Sequence, residues 1–135
     1  MRLAVLCSGG DAPGMNACVR AVVRLADAHD CEVVGIRFGY QGLLDEDFFV
    51  SANGDSLMTP RSVAHIMQYG GTILRSRRCE DFRTDEGLQK AADNLHKHNI
   101  EGLIVIGGDG TLRGAVDLSR HWDGKIIGCP ATIDN

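Results

Sequence analysis

The sequence predicts an α/β fold: a three-layer α/β/α arrangement in which helices cover both faces of an open, mostly parallel sheet. Short apolar runs that end in glycine alternate along the chain with amphipathic runs of helical spacing. Strands that alternate with helices pair in parallel, because each helix returns the chain to the same end of the sheet. The length of 135 residues, with 44% hydrophobic and 24% charged residues, suits one globular domain.

The first half of the chain begins with a predicted strand and a predicted helix. RLAVLCS, residues 2–8, predicts a buried strand because it is short, apolar and stopped by glycines. Residues 14–29 predict a helix with one apolar side, and Arg20 and Arg24, four residues apart, share another side. The elements expected next are a strand at 31–38, a turn at 39–43 (GYQGL), a loop or small hairpin at 45–60 and a short helix at 61–71.

The second half continues the alternation of strands and helices. LIVIG, residues 103–107, predicts a buried strand, and residues 85–98 predict an amphipathic helix before it. The other elements expected here are a charged loop at 75–83, a helix at 112–120 and a strand at 125–130.

Charge and composition exclude several classes of partner. The net charge is −4 and the basic residues are scattered, which argues against nucleic acid or an anionic membrane surface as the main partner. No apolar run approaches the roughly 20 residues that span a bilayer, and no signal-peptide layout precedes the first strand, so we expect a cytoplasmic protein. The five cysteines form no CxxC pair, which favours reduced thiols over a disulfide framework or a zinc site.

The first glycine-rich stretch is SGGDAPGMN, residues 8–16, between a strand and a helix. Glycines at this position let backbone N–H groups point at a phosphate, assisted by the positive end of the helix dipole. The stretch matches neither a Walker A motif nor GxGxxG. A tight strand-to-helix turn without a ligand is the alternative interpretation.

The second glycine-rich stretch, GGDGT, follows the strand at 103–107. Asp109 offers a hard oxygen ligand among glycines that leave room for a polyphosphate, and Mg²⁺ takes one or two carboxylates together with substrate phosphate and water. Thr111 adds a hydroxyl group. Asp109 as a helix N-cap is the alternative. Since ligands bind beyond the carboxyl ends of parallel strands, both glycine-rich stretches should share one crevice.

Two further groups of residues suit phosphoryl transfer. PATIDN, residues 130–135, follows the last predicted strand, where the carboxylate of Asp134 suits a general base; an ordinary loop residue is the alternative. A charged loop supplies cations that suit the charge of a transferring phosphoryl group, although such side chains are also common on solvated surfaces. Its arginines are Arg75, Arg77, Arg78 and Arg83.

Together these motifs resemble the phosphofructokinase family, in its N-terminal part. The resemblance rests on the order and spacing of SGGDAPGMNACVR, GYQGL, GGT with the arginine loop, GLIVIGGDGT and PATIDN. GGDGT alone is also similar to NAD kinases and diacylglycerol kinases. An NAD-kinase-like or lipid-kinase-like enzyme therefore stays an alternative, as does a nucleotide-binding module without catalysis.

The resemblance implies a Rossmann-like domain and an ATP-dependent kinase of glycolysis that phosphorylates the 1-hydroxyl of fructose 6-phosphate. By motif, Asp109 would hold Mg²⁺, Arg78 would stabilise the transferring phosphoryl group, and Asp134 would take the hydroxyl proton. Gly10 would complete the catalytic set through its backbone. The implied nucleotide-binding residues are Gly10, Tyr40, Arg78, Cys79, Gly108, Asp109, Gly110, Thr111 and Gly114, and the implied sugar-binding residues are Thr132, Ile133 and Asp134.

The resemblance also implies partners and a larger protein. Arg20 and Arg24 match arginines that bind the phosphates of ADP or phosphoenolpyruvate, and family members tend to be homotetramers. Members that use pyrophosphate resemble this chain less, because they carry an aspartate and a lysine where Gly110 and Ala131 stand here; ATP is the expected donor. Because family members are considerably longer, we expect residues 1–135 to be an ATP/Mg-binding domain without its sugar-phosphate domain, inactive by itself.

Overall fold

The computed structural model describes residues 1–10, 12, 14–66 and 71–131. In that part of the chain no helix is long and apolar enough to cross a membrane. The strands are β1 (Arg2–Cys7), β2 (Glu32–Gly35), β3 (Gly102–Gly107) and β4 (Lys125–Pro130). The helices are α1 (Met15–Ala28), α2 (Gly39–Asp45), α3 (Asp85–Lys97) and α4 (Asp109–Ser119), with a 3-10 helix at Glu80–Arg83.

The four strands form one parallel sheet in the order β2-β1-β3-β4. The predicted α/β class with a parallel sheet is confirmed. The chain moves outward from β1 to β2, then crosses β1 to reach β3 and continues to β4. The order therefore reverses between β1 and β3, and the carboxyl ends of these strands flank the crevice where such sheets bind ligands.

Helices cover opposite faces of the sheet because right-handed crossovers in opposite directions place their helices on opposite sides. On one face α1 and residues 58–66 and 73–74 pack against inward side chains of the strands; the buried residues there include Val5, Cys7, Val19, Val23, Met58, Leu74 and Ile106. On the other face α2, α3 and α4 bury a second cluster that includes Leu6, Tyr40, Leu43, Leu95, Val105 and Leu118. The predicted three layers are confirmed.

The turn predicted at GYQGL is wrong, because residues 39–45 form α2. Its apolar side chains Tyr40, Leu43 and Leu44 have helical spacing and enter the core. Glycine at 42 reflects close packing, since a Cβ atom there would overlap the carbonyl oxygen of Arg37.

The helix predicted at 61–71 is not present in its described part. Residues 60–66 form turns with bonds between residues three apart, such as Val63 N–H to Pro60 O at 3.3 Å and Ile66 N–H to Val63 O at 3.5 Å. Residues 67–70 lie outside the described residues.

The boundaries of two other elements differ from prediction. The strand predicted at 31–38 is β2, only Glu32–Gly35, after which Ile36 forms an antiparallel bridge with Phe48. The helix predicted at 112–120 begins earlier, at Asp109, so the acidic residue of the second glycine-rich stretch lies in the first turn of α4. Glycine has low helix propensity, which is why the sequence conceals this start.

Candidate functional site

The two glycine-rich stretches meet at the carboxyl ends of β1 and β3. The N–H of Ser8, at the end of β1, donates to the carbonyl oxygen of Ile106 at 2.9 Å. A Cβ atom on Gly9 would lie 3.7 Å from the Thr111 hydroxyl, and one on Gly107 would overlap the same hydroxyl. The side chain of Thr111 thus lies between the two stretches, which are side by side as predicted. That a ligand binds between them stays a prediction.

The third motif begins at the same edge of the sheet. The N–H of Ala131 donates to the carbonyl oxygen of Gly107 at 3.0 Å, which ties the end of β4 to the start of the second glycine-rich stretch. Thr132, Ile133 and Asp134, the residues expected to face a sugar, lie outside the described residues.

Helix α4 begins without a side-chain cap. Its N-cap is Gly108, which has no side chain to accept a hydrogen bond, so the N-cap alternative for Asp109 is wrong. The backbone N–H groups of Asp109, Gly110 and Thr111 find no acceptor among the residues that the structure describes. A helix start with unpaired N–H groups attracts anions through hydrogen bonding and the helix dipole.

The Asp109 side chain is exposed and has no ion-pair or hydrogen-bond partner within the described ranges. A hollow of about 500 Å³ lies beside it, lined also by Leu112, Arg113, Val116 and Asp117. No three His, Cys, Asp or Glu side chains converge as metal ligands in the described part of the chain. A lone free carboxylate suits Mg²⁺ that completes its coordination with phosphate and water.

Gly10 and Gly110 differ from the other glycines whose surroundings the structure describes. A Cβ atom at either position would meet no described atom within 4 Å, and neither residue has a positive φ angle. Neither packing against the described residues nor a positive φ angle therefore requires glycine at these two positions. Both lie in the glycine-rich stretches at the strand ends.

Tyr40 supports the crevice from inside the protein. Its hydroxyl donates to the carbonyl oxygen of Thr111 at 2.6 Å, and its ring stacks on Phe82 with centroids 3.9 Å apart. A Cβ atom on Gly114 would lie 2.8 Å from the Tyr40 ring, so glycine lets α4 approach that ring. Burial, together with the charge of Asp117, raises the pKa of Tyr40, which keeps the hydroxyl protonated as a donor.

Phe82 is the supporting residue that the sequence does not reveal. Its ring is buried in the core where it stacks on Tyr40 of α2. No local pattern signals this contact, since it joins segments far apart in the chain.

The arginine side chains of the loop at 75–83 differ in their contacts. The guanidinium of Arg77 lies 4.6 Å from the centre of the Phe38 ring, and Arg83 pairs with Glu80 at 3.9 Å. Arg78 is exposed and without an ion-pair partner among the described residues. The adjoining Cys79 packs against the core cluster that holds Phe82, and burial raises the pKa of its thiol. Arg75 is likewise exposed and without an ion-pair partner in the described part of the chain, next to the buried Leu74, so exposure does not distinguish Arg78 from it.

Arg20 and Arg24 lie on α1, as predicted, Arg20 half-buried and Arg24 exposed. Neither forms an ion pair within the part of the chain that the structure describes. Their role as effector-binding residues stays a prediction.

Known proteins match the chain over nearly its whole length. The family model described as Phosphofructokinase matches residues 2–135. The chain is 53% identical over 134 residues to ATP-dependent 6-phosphofructokinase from Halothermothrix orenii, a match that covers 99% of this chain and 38% of that protein. It is 54% identical to the ATP-dependent 6-phosphofructokinase of Oceanobacillus iheyensis, with 99% and 40% covered.

A solved structure shares the fold. The phosphofructokinase from Saccharomyces cerevisiae superposes with a TM-score of 0.87 at 34% identity, covering 98% of this chain and 20% of that chain. The chain thus spans about 40% of the length of the curated relatives that it matches.

Proposed function

The chain belongs to the phosphofructokinase family, and we propose that it forms the ATP- and Mg²⁺-binding part of an enzyme that phosphorylates fructose 6-phosphate to fructose 1,6-bisphosphate. Residues 1–135 supply the nucleotide side of the reaction in this proposal. The sugar-phosphate site needs residues from the larger part of the protein that the relatives contain. We expect the 135 residues by themselves to bind Mg-ATP without turnover.

The observation that carries the proposal is the open space at Gly10 and Gly110. A methyl group at either position would touch no described atom, so packing within the described part of the chain does not select glycine there. A phosphate chain lying over the ends of β1 and β3 explains both residues at once, because it needs close approach to the backbone. The unpaired N–H groups at the start of α4 supply donors for that chain.

Asp109 would hold Mg²⁺ in this arrangement. Its carboxylate is exposed at the start of α4, unpaired within the described residues, and beside the open space at Gly110. When bound, Mg²⁺ neutralises phosphate charge and orients the phosphates. The backbone carbonyl of Thr111 accepts a hydrogen bond from the Tyr40 hydroxyl, and the Thr111 side chain lies between the two glycine-rich stretches.

The other proposed roles follow the family motifs. The Arg78 side chain, exposed and unpaired in the described part, is available to stabilise the charge of the transferring phosphoryl group. Cys79 would lie along the nucleotide, with Tyr40, Gly108 and Gly114 shaping the same site. Thr132, Ile133 and Asp134 would face the sugar, and Asp134 would accept the proton of the attacking hydroxyl.

ATP is the proposed donor in preference to pyrophosphate. Gly110 leaves room for an α-phosphate and nucleoside, whereas an aspartate there would repel them. Ala131 packs against the core and offers no ammonium group to a pyrophosphate.

Isothermal titration of the purified chain with Mg-ATP and with magnesium pyrophosphate tests this proposal. We expect Mg-ATP to bind more tightly, and Asp109→Asn to weaken its binding at least tenfold, about 1.4 kcal/mol. Asp123→Asn is the matched control, since it removes one exposed carboxylate in the loop after α4. Equal losses in both variants, or unchanged binding in Asp109→Asn, would contradict the metal assignment; preference for pyrophosphate would contradict the donor.

The activity itself is tested on the complete gene product. A coupled assay with fructose 6-phosphate and Mg-ATP should detect fructose 1,6-bisphosphate, and Arg78→Ala should lower kcat more than it raises KM. The same assay with NAD as the acceptor should show no phosphorylation. Formation of NADP would favour the NAD-kinase-like alternative.

Regulation and assembly are proposed from the family motifs. Arg20 and Arg24, which lie on α1, would bind the phosphates of ADP or phosphoenolpyruvate in a cytoplasmic homotetramer. Titration of the complete protein with fructose 6-phosphate, with and without ADP, tests the effector role. Equal sugar-phosphate affinity in both titrations would refute it.

A further inference from the structure

Phe38 lies at the carboxyl end of β1, beside the first glycine-rich stretch. It is the N-cap of α2 and precedes Gly39. A Cβ atom on Gly39 would lie 2.9 Å from the carbonyl oxygen of Cys7 and 3.4 Å from the Ser8 side chain. The backbone N–H of Phe38 donates to the carbonyl oxygen of Leu74 at 2.9 Å. Phe38 therefore joins the end of β1 to the segment that leads into the arginine loop, residues 75–83.

The backbone of Phe38 is left-handed, with a φ angle of 60° and a ψ angle of 33°. A side chain in this region lies close to the following carbonyl group, so glycine, asparagine and aspartate are the residues that usually occupy it. Such strain persists where the surrounding structure fixes the residue. A phenylalanine at this position indicates that its side chain makes a contact that a residue better suited to the backbone would lose.

The contact is with guanidinium groups. The guanidinium carbon of Arg77 lies 4.6 Å from the centre of the Phe38 ring and that of Arg37 lies 5.1 Å from it, both within the roughly 6 Å at which a ring face attracts a cation. Arg37 also pairs with Asp47 at 3.7 Å. Arg77 has no ion-pair partner among the residues that the structure describes. The half-buried ring thus holds the guanidinium of an otherwise exposed side chain.

We propose that Phe38 is a positioning residue, whose ring holds Arg77 and thereby places the adjacent Arg78 towards the transferring phosphoryl group. The proposal rests on the proposed function of this chain, in which Arg78 stabilises the charge of that group. Arg78 lies between two neighbours with tertiary contacts, Arg77 on the ring and Cys79 against the core cluster. Contacts on both sides leave Arg78 fewer backbone conformations, so less entropy is lost when it binds a phosphate.

The strength of the ring contact limits the size of the effect. A cation–π contact at an exposed site changes an equilibrium by about two- to fivefold. An interaction shifts the balance of two conformations only by its own free energy, so the contact changes the population of the correctly placed loop by no more than that factor. Loss of Arg78 itself, which would touch the phosphoryl group, should lower kcat by a larger factor than loss of the ring.

Kinetics of the complete gene product test the proposal, with fructose 6-phosphate and Mg-ATP as substrates. Phe38→Leu removes the aromatic face, changes no charge and keeps a bulky residue in the left-handed backbone. We expect it to lower kcat by about two- to fivefold without a change in KM for fructose 6-phosphate. Phe38→Tyr retains the face and should restore kcat. In an Arg77→Met background Phe38→Leu should lower kcat no further, because its partner is already absent.

Arg37→Met is the matched control. It removes the other guanidinium from the same ring but lies outside the arginine loop, so kcat should equal that of the unmodified protein. Hydrogen exchange measured by mass spectrometry reports on the loop without any need for activity. In Phe38→Leu the backbone amides of residues 75–79 should exchange faster, and those of α3 should not.

Three results would overturn the positioning role of Phe38 while the proposed function stands: an unchanged kcat in Phe38→Leu, a full further loss in the Arg77→Met background, or faster exchange throughout α3. The last would show that Phe38 supports the fold as a whole. Absence of fructose 1,6-bisphosphate with the unmodified protein would instead overturn the proposed function, and the positioning role with it.

Discussion

Replacing Gly110 by alanine tests whether the fold or a bound ligand requires glycine at this position. The added methyl group would meet no described atom within 4 Å, and the residue has no positive φ angle. Because Gly110 is the second residue of α4, the change also raises helix propensity. We expect the free energy of unfolding to rise by between zero and about 1 kcal/mol.

The same methyl group should weaken Mg-ATP binding if the phosphates occupy this space. Forcing an extra methyl group into a packed contact typically costs about 1–3 kcal/mol. Such a loss corresponds to an increase in Kd of roughly 5- to 150-fold. Urea denaturation measures the free energy of unfolding, and isothermal titration with Mg-ATP measures Kd on the same preparation.

Gly107→Ala is the contrasting variant, three residues away. Its Cβ atom would overlap the Thr111 hydroxyl and lie 2.5 Å from the carbonyl oxygen of Ser8, so the ends of β1 and β3 would be forced apart. We expect it to lower the free energy of unfolding by at least about 1–3 kcal/mol. If Gly110→Ala bound Mg-ATP as tightly as the unmodified chain, the open space at residue 110 would not be a phosphate site. If Gly110→Ala lost as much stability as Gly107→Ala should, the fold itself would need glycine at 110.

Three further predictions concern the support of the site and of α3. Tyr40→Phe removes the hydroxyl that donates to Thr111 and should lower the free energy of unfolding by about 1 kcal/mol in urea; no change would show that this bond contributes nothing. Thr84→Ala removes the oxygen that accepts the Gly87 N–H at 3.0 Å and should lower it by about 1 kcal/mol, while Thr84→Ser should restore most of the loss. Hydrogen bonds from His98 and Lys97 lower the pKa of Glu46 in the folded protein. The Glu46 carboxylate therefore stabilises the fold above the ordinary glutamate pKa of about 4.3, and this stabilisation disappears as the pH falls through the lower pKa of the folded state. Glu46→Gln should therefore lower Tm at pH 7 but not at the acid end of a pH series. A difference in Tm between the variant and the unmodified chain that persists in acid would contradict this pH dependence.

The glycines, Asp109 and the strand–helix alternation are readable in the sequence because their signals are local. A short apolar run followed by glycine marks β3 and its end wherever it lies in the fold. The family motifs likewise predict roles for Arg78 and Asp134 by order and spacing, and these roles stay predictions. These patterns need no knowledge of which strands are neighbours.

Two local patterns predict the wrong structure. Glycines at 39 and 42 predict a turn, whereas the segment packs against α3 as helix α2 and the buried Asn94 donates to the Leu43 carbonyl oxygen at 2.9 Å. Residues 61–66 have helical spacing but form turns against the sheet. In both segments contacts with distant residues outweigh intrinsic propensity, which amounts to less than about 1 kcal/mol per residue.

By itself the sequence determined which groups are available: glycines without side chains at two strand ends, a carboxylate among them, and three cysteines in apolar runs. The tertiary structure alone decided that β1 and β3 are adjacent in the order β2-β1-β3-β4, which brings Gly9, Gly107 and Thr111 together. It also decided that Phe82 stacks on Tyr40. The physical reason is that pairing between distant strands depends on crossover direction and on burying both faces of the sheet, and no local stretch of sequence encodes either.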